Sequence, residues 1–171
     1  SLSAELVRLT QRDNPFAHAA LVAFEQELDA ATGWFAQATA AIEAQLAEYG
    51  AAGIHIGICA NEDPVKLKVA AVRGYGFKLL QLLMAYDYFV RVAKTLMLKG
   101  LMPNHDCNEL IREGSRTMRQ LLQGLYGAAM RLRGIQGVTR KGLVEDVSVA
   151  EKMGVVVSQG VFSAVPLDVL L

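Results

Sequence analysis

Lys66 and Lys68 stand two residues apart in Val65-Lys66-Leu67-Lys68-Val69, and Arg112, Arg116 and Arg119 stand at i, i+4 and i+7. Each spacing gathers its cations on one side of the chain. Period-two alternation sends both lysines to one face of a strand, with Val65, Leu67 and Val69 on the other. The arginine spacing makes one stripe on a helix. Farther along come Arg131, Arg133, Arg140 and Lys141, and Arg73 lies between the two groups. Between Arg112 and Lys141 there are seven basic residues and a single acid, Glu113. A solvated helix face is usually mixed in sign, whereas a surface that grips phosphates needs one sign. The chemistry these residues can do is therefore polyanion binding.

The formal net charge of +0 conceals a division along the chain. Residues 1–63 carry two basic and nine acidic side chains. Residues 64–141 carry fourteen basic against four acidic, and residues 142–171 carry Lys152 against four acids. Such asymmetry is a statement about partners, and it makes nucleic acid the first hypothesis.

Other chemistry finds little support. His18, His55 and His105 are scattered, and no Gly-x-Ser-x-Gly, HExxH or Walker pattern occurs. A non-enzyme is expected, with no cofactor. His55, Cys59, His105 and Cys107 could be imagined around a metal, but their spacings fit no zinc pattern. Two buried thiols and two ordinary histidines are the simpler reading, and no metal is expected. Two cysteines make no disulfide framework, which suits a cytoplasmic, reduced protein. No stretch reaches the roughly 20 apolar residues of a membrane span, and no signal peptide is seen. The chain starts at Ser1 without Met and stops at Leu170-Leu171, and so reads as a trimmed fragment.

The elements that must position these residues are mainly helical. Ala, Leu, Gln and Met dominate the apolar stretches. Asn14-Pro15 reads as an N-cap followed by Pro at N1. From there to about Glu48, Phe24, Leu28, Ala31, Phe35, Ala38, Ile42 and Leu46 form one seam in steps of four and three, with Trp34 beside it. This long acidic helix either dimerises or packs along its own chain. Gly50 to Gly53 breaks it, and Ile54–Cys59 is β-rich. After the turn Asn61-Glu62-Asp63-Pro64 comes the alternating strand 65–69. Arg73-Gly74-Tyr75-Gly76 leads into a second helix, about Phe77 to Lys99, with Leu79, Leu83, Tyr86, Val90, Ala93 and Met97 inward. Lys78, Gln81, Arg91 and Lys94 lie largely off that face, and Asp87 pairs with Arg91. A third helix starts near Asp106 with Glu109 as a capping box and runs to about Arg133. Its inward residues are Leu110, Met118, Leu121, Leu122, Leu125 and Met130. A loop over Gly134–Gly137, a helix from Val138 to about Met153, and short extended pieces at Val155–Val157 and Val161-Phe162 complete the chain.

The expected architecture is mainly α: a long-helix bundle with a short β element and a ribbon-helix-helix-like dimeric core. Residues 1–53 form the acidic helix, 54–141 the basic DNA-binding core, and 142–171 a C-terminal helix and apolar tail, all in one compact domain. Two glycine motifs at 74–76 carry less. Arg73-Gly74-Tyr75-Gly76-Phe77 matches the start of an RNA-recognition signature but enters a helix instead of a strand. The same Gly-x-Gly lacks the third glycine of a dinucleotide loop, because Leu79 holds its place. A turn that needs glycine for its backbone explains both.

The segment from Pro64-Val65-Lys66-Leu67 through Tyr86-Asp87-Tyr88 to Arg133-Gly134-Ile135-Gln136-Gly137-Val138-Thr139-Arg140, with the closing Pro166-Leu167-Asp168-Val169-Leu170, resembles the AcaB-type transcriptional regulators of integrating conjugative elements and related plasmids. The resemblance covers about residues 62–171; the acidic helix is similar only in type. It implies a bacterial mobile-element protein that binds DNA upstream of a promoter and activates conjugation genes. It also implies a basic tail beyond the final Pro-x-Asp-Val-Leu.

The combined expectation is a homodimer that binds double-stranded promoter DNA and no membrane. Lys66 and Lys68, on a ribbon paired between two chains, would reach base edges. Arg112, Arg116, Arg119, Arg131, Arg133, Arg140 and Lys141 would hold phosphates and fix register, and Arg73 is counted with the DNA-binding residues. The alternative is a non-enzymatic accessory factor of the conjugation machinery that docks an acidic partner. In the blandest form of that alternative, the acidic helix itself neutralises the basic block.

Overall fold

The computed structural model describes residues 2–60, 74–133, 136–139 and 141. Among them are four helices: α1 (Leu2–Gln11), α2 (Pro15–Ala51), α3 (Tyr75–Leu98) and α4 (Asn104–Leu132). The helices group into two units, one from residues up to 27 and from 121 onward, the other from residues 28–120. Helices α2 and α4 each run through both.

The α1–α2 corner is written locally. Asp13 takes φ 61°, a conformation that Asp tolerates better than most residues. Asn14 N–H then donates back to Leu9 O at 3.1 Å and Asp13 N–H to Thr10 O at 3.0 Å. This is a Schellman closure of α1. The same Asn14 caps α2: its Oδ1 accepts from the Phe16 and Ala17 N–H groups, each at 3.0 Å. Asn14-Pro15 is thus cap and first helical residue, as the sequence predicts, while α1 is an additional element that the sequence pattern does not announce. The core of this unit is Leu6 and Leu9 of α1, Phe16, Ala17 and Phe24 of α2, and Leu121, Leu125, Ala128, Ala129 and Leu132 of α4.

In the second unit Leu28, Ala31, Phe35 and Ile42 of the α2 seam are buried with Leu82, Phe89, Val92, Ala93 and Leu96 of α3 and Cys107 of α4. Trp34, Phe35, Tyr86 and Phe89 meet edge to face, with ring centroids 4.9–5.6 Å apart. That is the arrangement aromatic quadrupoles favour. Gly114 admits them: a Cβ there would lie 2.8 Å from Phe89 and 3.2 Å from Phe35. Tyr86 also bonds Ser115 Oγ at 2.8 Å. Ser115 spends its only proton on Ile111 O, so the tyrosine is the donor.

Three expectations are corrected. Leu83 of α3 is exposed, and the buried face runs through Leu82, Phe89, Val92 and Leu96 instead. The first turns of α3 are apolar on nearly every side, so periodicity alone could not choose the face. On α4, Leu122 and Met130 are 49% and 38% exposed, while Ala128, Ala129 and Leu132 are buried. The helix also starts at Asn104, not at an Asp106 capping box. Third, Ile54–Cys59 forms no strand. Its anchor is a side chain: Cys59 N–H donates to Oγ1 of buried Thr95 at 2.9 Å, and that hydroxyl donates to Arg91 O. No strand occurs among the described residues, so the ribbon-helix-helix core is not seen; the strand expected at 65–69 falls on residues outside them.

Candidate nucleic-acid interface

Helix α4 separates its charge from its core. In the second unit its buried positions are Cys107 and Gly114, and Arg112, Arg116 and Arg119 lie on the opposite side of the cylinder. At 3.6 residues per turn, Gly114 is roughly 200° around from Arg112. All three arginines are exposed. They make no ion pair among the described residues, although Glu113 shares their helix. An exposed guanidinium with no carboxylate partner keeps its full donor fork for an external anion.

The other cations of this unit differ. Arg91 Nε bonds Asp87 at 2.9 Å and its guanidinium lies 5.5 Å from the Tyr88 ring, so the pair expected at i, i+4 is present. Lys78 sits 5.7 Å over Tyr75. Tyr88 Oη donates to Glu43 at 2.5 Å, and this bond, ahead of burial, raises the phenol pKa above its ordinary 10.0. Burial raises the Cys107 thiol, against a smaller opposing effect of Lys94; its Sγ–H points to Ala93 O at 3.6 Å. It is a core residue, while Cys59 is half-buried. His105 lies near Asp106 and Glu109 at the start of α4. Among the described residues no group of three metal-ligating side chains converges.

In the first unit Arg131 and Arg133 are exposed at the end of α4, and Lys141 is exposed beyond it. Arg131 also lies in the last helical turn, where a cation complements the helix dipole. Lys66, Lys68, Arg73 and Arg140 lie outside the described residues. Sequence reasoning missed the outer side of α3, where Phe77, Leu83 and Met84 are 50%, 40% and 64% exposed. The signal was available: six of the eight residues from Phe77 to Met84 are large and apolar, more than one buried stripe can use.

A family model described as "Transcriptional regulator AcaB" matches residues 1–170. The chain belongs to the AcaB family of transcriptional regulators. The match extends the resemblance seen from residue 62 onward to α1 and the acidic α2. No curated protein and no solved structure matches the chain. No described helix is long and apolar enough to cross a membrane.

Proposed function

We propose that this chain is a homodimeric, DNA-binding activator of conjugative-transfer genes on a bacterial mobile element. The observation that carries the reading is the exposed trio Arg112, Arg116 and Arg119, unpaired among the described residues and set against a buried opposite face. Phosphate neutralisation by such a row positions a protein on the duplex without reading sequence. Arg131, Arg133 and Lys141, with Arg73 and Arg140, would add to it. Sequence choice falls to Lys66 and Lys68 on a ribbon shared by two chains, where side chains reach the major-groove edges. The exposed Phe77, Leu83 and Met84 follow that segment closely in the chain and supply apolar surface for a dimer to bury.

The competing idea of a protein-docking factor, neutralised by its own acidic helix, draws no support from ion pairing at the arginine stripe. The three arginines of α4 make no salt bridge to α2 among the described residues. A mobility shift on promoter DNA of the host element, against scrambled DNA at 50 and 200 mM salt, tests the proposal. Six phosphate contacts would cost about a thousandfold in affinity across that range. Sequence-indifferent or absent binding would leave the docking reading in its place.

A further inference from the structure

Helices α2 and α3 end in the same way, and their two ends frame a cleft of about 350 Å³ within the second unit. At the end of α2, Ile54 N–H returns to Tyr49 O and Gly53 N–H to Gly50 O, with Gly53 at φ 83°. At the end of α3, Leu101 N–H returns to Leu96 O and Gly100 N–H to Met97 O, with Gly100 at φ 72°. Both are Schellman motifs, which place an apolar residue just beyond the left-handed glycine. Those residues, Ile54 and Leu101, line the cleft with Tyr49, Ile56, His55 and Lys99. Its body is therefore aliphatic and aromatic. Its polar groups include one ammonium and one imidazole, and among the described residues no carboxylate side chain lines it. The side chains of Lys99 and His55 make no ion pair or hydrogen bond among the described residues.

We propose that this cleft binds a small amphipathic carboxylate, its chain against Tyr49, Ile56 and Leu101 and its carboxylate on Lys99. The volume is in the lower part of the range for small-molecule sites, roughly 300–1,000 Å³. Two helix C-termini face the same region and would favour a cation instead. Each carries only about half an elementary charge, and the returning N–H groups already engage the carbonyls. Uncapped, the two would together match one ammonium; with their carbonyls engaged at both ends, Lys99 decides the sign of the site. The site is independent of the DNA-binding reading.

The test follows backbone amide shifts of the full chain during titration with hexanoate, hexanol and hexylammonium. Hexanoate is expected to bind tightest, with saturable shifts at Tyr49, Ile54–Gly57, Lys99 and Leu101. Lys99→Met should weaken it by about tenfold or more, the scale of a lost charged hydrogen bond. Gly57→Trp should abolish it by filling the cleft; no atom lies within 4 Å of a Cβ built at Gly57. Hexylammonium binding more tightly than hexanoate, equal hexanoate affinity in Lys99→Met, or no saturable shifts in the parent chain would each overturn the proposal. The ranking of the three probes needs no variant, so a poorly folded substitution does not shield it.

Discussion

At Gly114 the chain omits a side chain because the Phe89 and Phe35 rings occupy its space. The nearest neighbour is the edge of the Phe89 ring, which is held against Trp34 and Phe35, so it cannot swing aside as a flexible side-chain end could. Gly114→Ala is expected to lower stability by about 1–3 kcal/mol, the usual range for overpacking, read by urea denaturation. Gly124→Ala is the control: the atom in its way is the Glu27 carboxylate at 2.8 Å, which can rotate. Tyr88 offers a second residue-scale prediction. Its bond to Glu43 favours the neutral phenol and raises the pKa. The stabilisation is thus present below the ordinary 10.0 and lost as pH rises through the higher folded value. A ring-carbon NMR titration should place the Tyr88 midpoint above that of a free tyrosine, and Glu43→Gln should bring it down.

At the scale of the element, α4 does two jobs on opposite faces. Its buried line is made of small or aliphatic groups, Cys107, Gly114, Leu121, Leu125, Ala128 and Leu132, which allow close helix approach. Its outer line in the second unit is arginine. Changing Arg112, Arg116 and Arg119 together to Gln therefore leaves the core untouched. The fold should hold within about 0.5 kcal/mol per substitution, as exposed changes usually do. The slope of log affinity against log salt should fall by roughly three, near 0.9 for each phosphate no longer neutralised. An unchanged slope would remove the stripe from the DNA interface. Helix α3 shows the reverse problem, with more apolar surface than its unit buries. Packing against Phe35 and Gly114 holds Phe89 inward, and Leu82, not Leu83 or Met84, is buried on the same helix.

At the scale of the whole molecule, the arginines of α4 form no ion pair with the acidic α2 among the described residues. Among the described residues α2 takes one hydrogen bond from the α3 segment through Glu43 and Tyr88, and α4 arginines take no part. That leaves the stripe Arg112, Arg116 and Arg119 available to a partner, while the formal net charge of +0 lowers non-specific attraction at long range. The proposed dimer would bury the exposed α3 residues Phe77, Leu83 and Met84. Phe77→Glu with Met84→Glu is expected to shift the protein from dimer to monomer in sedimentation velocity, because each buried copy of a carboxylate would need a partner the interface lacks. A monomeric parent chain would refute the dimer directly.

Much of this organisation is legible without coordinates. Helical class, the Asn14-Pro15 start, the α2 seam from Phe24 to Ile42, the Asp87–Arg91 pair and the exposed arginine stripe all depend on spacings of three and four along one chain, and local geometry decides them. The family resemblance is equally visible, in short motifs after residue 62. What the sequence left open required contacts between distant segments. Which side of α3 is buried is chosen by α2 and α4, since α3 itself offers apolar residues all round. Whether Ile54–Cys59 becomes a strand depends on a pairing partner, and the segment instead gives its Cys59 N–H to Thr95, thirty-six residues away. The cleft between two helix ends is likewise tertiary: each Schellman glycine can be guessed locally, but their meeting cannot.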